Sequence, residues 1–339
     1  MPWKASSLVN VYMTVFTRVP IDVLTGWSNK HMLGALENLT ETKHGTENSN
    51  FFLTTVLRNL IVTVFENVGN HELPFYLCYM YFLSVNGVPA PILNSNVEAI
   101  PVVQWVDKPV AITLKLIGST QEVPGNPHLL ETGRALAALH HISKKTTLFN
   151  ARVYSISWVK DKVSNYAYVV PFGKRYVFEY RSSIQLFFFL AGGYKRLDDG
   201  VCHGDLFKDN VAFEQLFHMH RQRLSGCFDF YFSGQEKMLV DVAIALNTWC
   251  TSSNGLLNAY ATVKLMHSYQ TIKPLKNREK KKLLVTLEVM SFRFWLSRVG
   301  GFYKKRITAT IYTYDPDCFK HMGSLYSRKE WFISYVCAL

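Results

Sequence analysis

Two aspartates and an asparagine define the chemistry this chain is equipped to attempt. In the run His203-Gly-Asp205-Leu-Phe-Lys-Asp-Asn210 a carboxylate precedes a carboxamide by five positions, and another carboxylate, Asp229, follows in Leu224-Ser-Gly-Cys-Phe-Asp229-Phe-Tyr-Phe. That order suits phosphoryl transfer, in which a loop Asp accepts the proton of the attacking hydroxyl while an Asn and a later Asp hold Mg²⁺ on the phosphates. Asp205 is therefore the expected base, Asn210 and Asp229 the expected metal ligands, and His203 a residue that orients the loop rather than titrates.

The flanking segments strengthen this reading. Val211-Ala-Phe213 and Leu224 to Phe228 are apolar and should pair as a hairpin, carrying Asn210 at one end and Asp229 at the other. The competing reading is a surface turn holding these residues by chance. It requires three spaced polar positions and two apolar strands to coincide. Asp209 could compete with Asn210 as a ligand, but its spacing favours an exposed turn role.

Other elements must present this loop. Asn50 to Leu57 and Asn59 to Phe65 read as a hairpin, and the polar run Lys43-His-Gly45-Thr-Glu-Asn48-Ser-Asn50 enters it. Such a turn could fold over phosphates through backbone N–H groups, although an ordinary turn would look the same. Glu72 to Val85 reads as a helix, and Pro109 to Gly118 as a buried strand leading to an exit turn between two lobes. Leu129, Gly133, Leu136, Ala137 and His140 recur at helical spacing, as do Leu283, Leu287, Met290 and Phe294. Asp241 lies in an apolar run, Leu239 to Trp249, where an unpaired carboxylate would be costly; the expected partner is the catalytic-loop backbone. Arg293 and Arg298 border an apolar stripe, and each is expected to meet a carboxylate, internal or belonging to a substrate. The region Asn150 to Asp199 carries no assigned site.

Composition narrows the classes. With 339 residues, 48% hydrophobic and 18% charged, the chain can bury a large core. The most continuous apolar stretch, Leu186 to Gly193, is bounded by Arg181 and Lys195 and falls short of the roughly 20 residues a bilayer span needs. No membrane span or signal peptide is expected, which places the protein in the cytoplasm. Cys78, Cys202, Cys227, Cys250, Cys318 and Cys337 are scattered singly, without zinc or redox spacing. The net charge of +12 suits a nucleic acid, an anionic lipid surface or an anionic nucleotide substrate. The basic run Lys276 to Lys282 reads as a solvated helix end, so no nucleic-acid partner is expected. The sequence carries no signal for an oligomeric state.

At these residues the chain resembles the type II homoserine kinases of the aminoglycoside phosphotransferase superfamily. The resemblance runs through Gly45-Thr-Glu-Asn-Ser-Asn-Phe-Phe52, Val62-Thr-Val-Phe-Glu66, Leu73-Pro-Phe75, Gly87-Val-Pro-Ala-Pro91, Lys108-Pro109 and Leu136 to His140. It continues through Val201 to Phe213, Arg223 to Phe232, Asp241 to Cys250, Arg293 to Arg298 and Tyr314-Asp-Pro316. The catalytic-loop motif is common to the superfamily. Asp229-Phe-Tyr-Phe, Asn247-Thr-Trp-Cys250 and Arg293-Phe-Trp-Leu-Ser-Arg298 resemble homoserine kinases more narrowly.

The resemblance implies an α+β, protein-kinase-like bilobal fold. An N-terminal antiparallel-sheet lobe over residues 1–115 would bind nucleotide, and a mainly helical lobe over 116–339 would carry catalysis and substrate binding. It also implies ATP and Mg²⁺ as cofactors and L-homoserine as acceptor, in a step toward threonine. Nucleotide contacts would come from Gly45, Asn48, Ser49, Asn50 and Thr63, and a substrate carboxylate would meet Arg293 or Arg298. Thr63 stands where protein kinases place a phosphate-pairing lysine, so a cation, if needed, must come from Lys43 or the metal ions. The loop with His218 and His220 is longer than usual and reads as exposed rather than metal-binding. Two alternatives remain: a kinase for choline, an aminoglycoside or another amino alcohol, and a catalytically weak nucleotide-binding protein of the same fold.

Overall fold

The computed structural model describes residues 17–42, 48–91, 102–150, 156–166, 170, 179, 182–184, 186, 188–190, 192–216, 221–305 and 317–327. Gly45, Lys43, His218 and His220 lie outside them. Helix α1 (Ile21–Lys30) precedes strands β1 (Leu36–Glu41), β2 (Ser49–Thr55) and β3 (Asn59–Val64), then helix α2 (Leu73–Val85) and strands β4 (Val102–Trp105) and β5 (Lys108–Leu114). The strands form one antiparallel sheet in the order β1-β2-β3-β5-β4. Alternation decides which side of it is dry. Phe51, Leu53, Val62, Val64, Val110 and Ile112 face one side and form a core with Leu24 of α1 and with Leu33. Asn50 and Thr63, cross-strand partners, occupy the opposite parity.

Helix α2 is inserted between β3 and β4 of the sheet in sequence but packs into the second, larger core. Leu73, Leu77, Met80 and Leu83 join Leu129, Leu136, Leu239 and Leu246 there, and the Tyr79 hydroxyl donates to the Val201 carbonyl at 2.7 Å. The helix is apolar around nearly its whole circumference, so periodicity could not choose its buried side. Tyr81 is exposed, whereas Tyr76 and Tyr79 are buried.

The second part contains α3 (Asn126–Ser143), α4 (Ile156–Tyr166), α5 (Gly192–Lys195), β6 (Asp199–Cys202), the hairpin β7 (Val211–Leu216) and β8 (Arg221–Cys227), β9 (Gly234–Lys237), α6 (Met238–Trp249), α7 (Ala259–Gln270), α8 (Asn277–Lys305) and α9 (Asp317–Ser327). An antiparallel sheet followed by a helical part is the expected architecture. Gly133 lets α3 lie directly on α7, since a Cβ there would fall 2.3 Å from the Leu265 carbonyl oxygen. Apart from Thr248, every residue of α6 is buried, Asp241 and Asn247 included. The expected hairpin forms, with Val211 opposite Cys227. Ser119, past the end of β5, pairs with Phe213 in both directions, pinning the inter-lobe connection to β7.

The basic run at 276–282 is more than a solvated end. Lys276 and Arg278, with Lys144 from the end of α3, donate to the buried Asp198, and Lys273 lies 3.6 Å from the same carboxylate. One carboxylate just before β6 thus ties its own segment to the end of α3 and the start of α8.

Candidate active site

Strand β6 delivers His203, Gly204 and Asp205 to the end of the second core, and the loop is held from behind before any ligand arrives. Gly204 has φ +82°, and a Cβ on it would lie 2.4 Å from the Phe232 carbonyl oxygen, so glycine is required on both counts. His203 is fully buried. Its ring Nε2–H donates to the Phe228 carbonyl at 3.0 Å, while Nδ1 accepts the Asp205 N–H at 3.2 Å. An acceptor Nδ1 means a neutral ring, consistent with burial, which lowers the His203 pKa despite the opposing pull of Asp241 and the Phe228 carbonyl.

Asp241, on the buried helix α6, accepts the His203 N–H at 2.7 Å and the Gly204 N–H at 2.8 Å. His140 Nε2–H donates to it at 3.2 Å, and the His140 Nδ1 accepts the Tyr269 hydroxyl at 2.9 Å. Burial alone would raise the Asp241 pKa, but the hydrogen bonds from His140 and from the Gly204 N–H outweigh it and keep the carboxylate ionised. The expected loop-backbone partner of Asp241 is found. Its His140 and Tyr269 supports went unread, because a helical histidine and a tyrosine at distant positions carry no pairing signal.

Arg293, buried on α8, takes the other side of the same loop: its guanidinium donates to the Gly204 carbonyl at 3.0 Å and lies 4.3 Å from the Phe294 ring. The indole N–H of Trp249 donates to the Leu206 carbonyl at 3.0 Å. Arg298 is half-buried, with its guanidinium 4.6 Å over Phe319 and 5.7 Å over Phe207, two residues beyond Asp205. The two arginines thus reach the loop differently, one from inside the core and one over its rim.

Asp205 and Asn210 meet directly, and backbone pairing brings the residue before Asp229 to Asn210. The Asn210 amide donates to the Asp205 carbonyl at 2.8 Å and to the Asp205 carboxylate at 3.2 Å. The Asn210 carbonyl accepts the Phe228 N–H at 3.0 Å, which sets Asp229 beside it. With its amide nitrogen so engaged, Asn210 keeps its side-chain oxygen for ligation. That oxygen and the Asp229 carboxylate form a hard donor set that fits Mg²⁺. Asp229 itself is left-handed, φ 63° and ψ 54°, and caps the short 3₁₀ turn Phe230–Phe232. Such backbone, for a residue other than glycine, is held by its surroundings and clusters at functional sites.

On the sheet, the Thr63 hydroxyl donates to Asn50 Oδ1 at 2.7 Å. Ser49 and Asn48 belong to a different group: Ser49, fully buried, donates to Glu66 Oε1 at 2.6 Å, and Asn48 Oδ1 accepts the Glu66 N–H at 3.4 Å. Lys108 of β5 forms an ion pair with Glu66. Burial would raise the Glu66 pKa, yet hydrogen bonds from Lys108, Ser49 and Thr17 hold it below its ordinary value. This Glu66–Lys108 pair was missed, since Glu66 lies just past the end of β3 and Lys108 opens β5, 42 positions away.

Residues 38–275 match the phosphotransferase enzyme family. The homoserine kinase of Burkholderia ambifaria (strain MC40-6) is 34% identical over 313 residues, covering 91% of this chain and 94% of that protein. Among solved structures, a microcompartment-associated aminopropanol kinase superposes with a TM-score of 0.64 at 13% identity, covering 94% of this chain and 99% of the other. A spectinomycin phosphotransferase in complex with ADP and spectinomycin gives a TM-score of 0.59 at 11% identity, covering 91% and 95%. At such identities the two structures show the shared kinase-like fold, and the sequence relationship goes further: the chain belongs to the phosphotransferase enzyme family, on its homoserine kinase branch.

Proposed function

We propose that this protein is a homoserine kinase that transfers the γ-phosphoryl group of ATP to the side-chain hydroxyl of L-homoserine. The observation that carries the reading is the hydrogen-bonded set Asp205–Asn210, with Asp229 placed beside it by the Phe228 N–H. Asp205 acts as base: it takes the hydroxyl proton as the substrate oxygen bonds to phosphorus and the bond to the ADP oxygen breaks. Asn210 and Asp229 hold the metal. Bound Mg²⁺ supplies charge neutralisation at the transferring phosphoryl group.

His203, neutral and buried, keeps the loop in place. Asn50 and Thr63, with the backbone of the turn through Gly45, Asn48 and Ser49, face the nucleotide in this reading. The Ser49 side chain meanwhile braces the strand through Glu66. Of the two arginines, Arg298 is the better partner for the substrate carboxylate, because its guanidinium stands over Phe207 next to the catalytic loop and is not buried. Arg293 supports the loop through Gly204. The lobe boundary falls at residues 115/116, just after β5. Among the described residues no helix is long and apolar enough to cross a membrane, and we place the enzyme in the cytoplasm.

The test is an acceptor panel. ADP release and phosphorylated product are measured with L-homoserine, choline, an aminoglycoside and no acceptor, on wild type and Asp205→Asn. Product with homoserine alone, abolished in the variant, supports the proposal. Preference for choline or the aminoglycoside reassigns the acceptor, and equal background with every acceptor points to a nucleotide-binding protein.

A further inference from the structure

The turn that carries Asp229 is gripped by aromatic side chains from two directions. Phe230 lies against His203 at 4.6 Å between ring centroids and against Tyr79 of α2 at 6.0 Å. Tyr231 makes edge-to-face contacts with Phe65 at 4.5 Å and with Tyr76 of α2 at 5.9 Å. Tyr76 and Tyr79 are one helical turn apart, so α2 presents them together. Phe230 therefore looks into the catalytic core, whereas Tyr231 looks outward to the sheet. Phe65 directly continues β3, and its N–H donates to the Pro109 carbonyl at 3.0 Å, so it moves with the sheet that carries Thr63 and Asn50. The Asn150 amide bridges the Tyr76 hydroxyl at 3.4 Å and the Ser233 carbonyl at 3.2 Å, which closes the turn onto α2 from its far end.

Asp229 has left-handed backbone, which surrounding structure must hold in place. We propose that Tyr231 is a positioning residue for Asp229: wedged between Phe65 and Tyr76, its ring couples the placement of the nucleotide-binding sheet to the orientation of the metal-ligating carboxylate. The chain lacks a lysine at position 63 to tie that sheet to the phosphates by charge. The aromatic wedge makes the tie by packing through the neighbouring strand end, with the Tyr231 hydroxyl also reaching the Thr63 side chain. This rests on the kinase reading of Asp229 and adds a residue to it.

The experiment compares Tyr231→Leu, Tyr231→Phe and Tyr76→Leu with wild type. Affinity for ADP is titrated at increasing Mg²⁺ concentration, and kcat, the homoserine KM and thermal midpoints are measured alongside. Supporting residues around metal ligands commonly matter by about 10–100-fold, so Tyr231→Leu should need about tenfold or more Mg²⁺ for half-maximal tightening of ADP binding and lose kcat comparably, with the homoserine KM within about twofold. Tyr231→Phe, which keeps the ring, should stay within about threefold of wild type. Tyr76→Leu should shift the Mg²⁺ dependence in the same direction, and it carries the test by itself if Tyr231→Leu fails to fold.

Wild-type Mg²⁺ dependence of ADP binding in either folded leucine variant overturns the proposal, as does a Tyr231→Phe as impaired as Tyr231→Leu. The ADP titration contains no acceptor. A wild type inactive on homoserine would therefore defeat the substrate assignment while leaving this result readable.

Discussion

The Asp241 carboxylate and the Gly204 backbone amide meet at 2.8 Å, and Arg293 donates to the carbonyl of that same glycine at 3.0 Å. The peptide groups on both sides of Gly204 are thereby held from the core by two charged side chains on different helices. Asp205 follows immediately and inherits that rigidity. A base on an exposed loop would spend binding energy on becoming ordered; here the order precedes the ligand.

Asp241→Asn puts an amide where two backbone N–H groups and the His140 ring converge, and an amide cannot accept from all three with both heteroatoms. Leaving a buried donor unsatisfied costs about 1–3 kcal/mol. The variant should lose that much in a denaturant titration, and its kcat should fall as the loop loosens. A variant with wild-type kcat would mean that the carboxylate does not position the loop.

Asp205→Asn preserves shape and removes the proposed base. General-base catalysis contributes about 10²–10⁴-fold, so kcat should drop within that range while ADP affinity stays within about threefold. Single-turnover kinetics with homoserine, alongside ADP binding, checks both parts.

Asp229→Asn and Asn210→Ala should raise the Mg²⁺ concentration needed for half-maximal activity by about 10-fold or more. A thermal shift on adding ADP should then require more Mg²⁺ than in wild type. Equal Mg²⁺ dependence in both variants would detach these residues from the metal.

Arg298→Leu and Arg293→Leu should behave differently. Losing a hydrogen bond to a charged group is worth about 1.5–3 kcal/mol, so Arg298→Leu should raise the homoserine KM by about 10–100-fold and leave the ATP KM near wild type. Arg293→Leu strands the Gly204 carbonyl and should lower the thermal midpoint and kcat together. Steady-state kinetics in both substrates separates the two outcomes.

Acid stability follows from Asp198. Burial would raise its pKa, but hydrogen bonds from Lys276, Arg278 and Lys144 outweigh that and hold it far below the ordinary carboxylate range. A carboxylate depressed in the folded state contributes stability above its unfolded pKa, about 3.9, and loses that contribution as pH falls toward the folded value. Asp198→Asn should therefore destabilise the protein at pH 7 and narrow its gap to wild type as pH falls below about 4. Thermal midpoints from pH 7 to pH 3 test this, and a gap that widens on acidification would contradict the assignment.

Short-range features were readable in the sequence because spacing alone expresses them. The interval from Asp205 to Asn210, the strands on either side of the following loop, and the helices around His140 and Met290 are local patterns, and each appears where spacing places it. Asp241 also signalled its need for a partner, since an ionised carboxylate in an apolar helix is costly without one. Its backbone partners could be named because the His203 to Asn210 motif is legible by itself.

Tertiary structure alone decided the rest. Nothing local pairs Glu66 with Lys108, brings Lys144, Lys273, Lys276 and Arg278 onto Asp198, or sends α2 into the far core with Tyr76 and Tyr79 facing the Asp229 turn. These contacts join segments tens of residues apart. Their partners are fixed by how two cores pack, and one-dimensional spacing carries no record of that. Even the two arginines of α8, five positions apart, differ in role because packing buries one beneath Gly204 and leaves the other over Phe207.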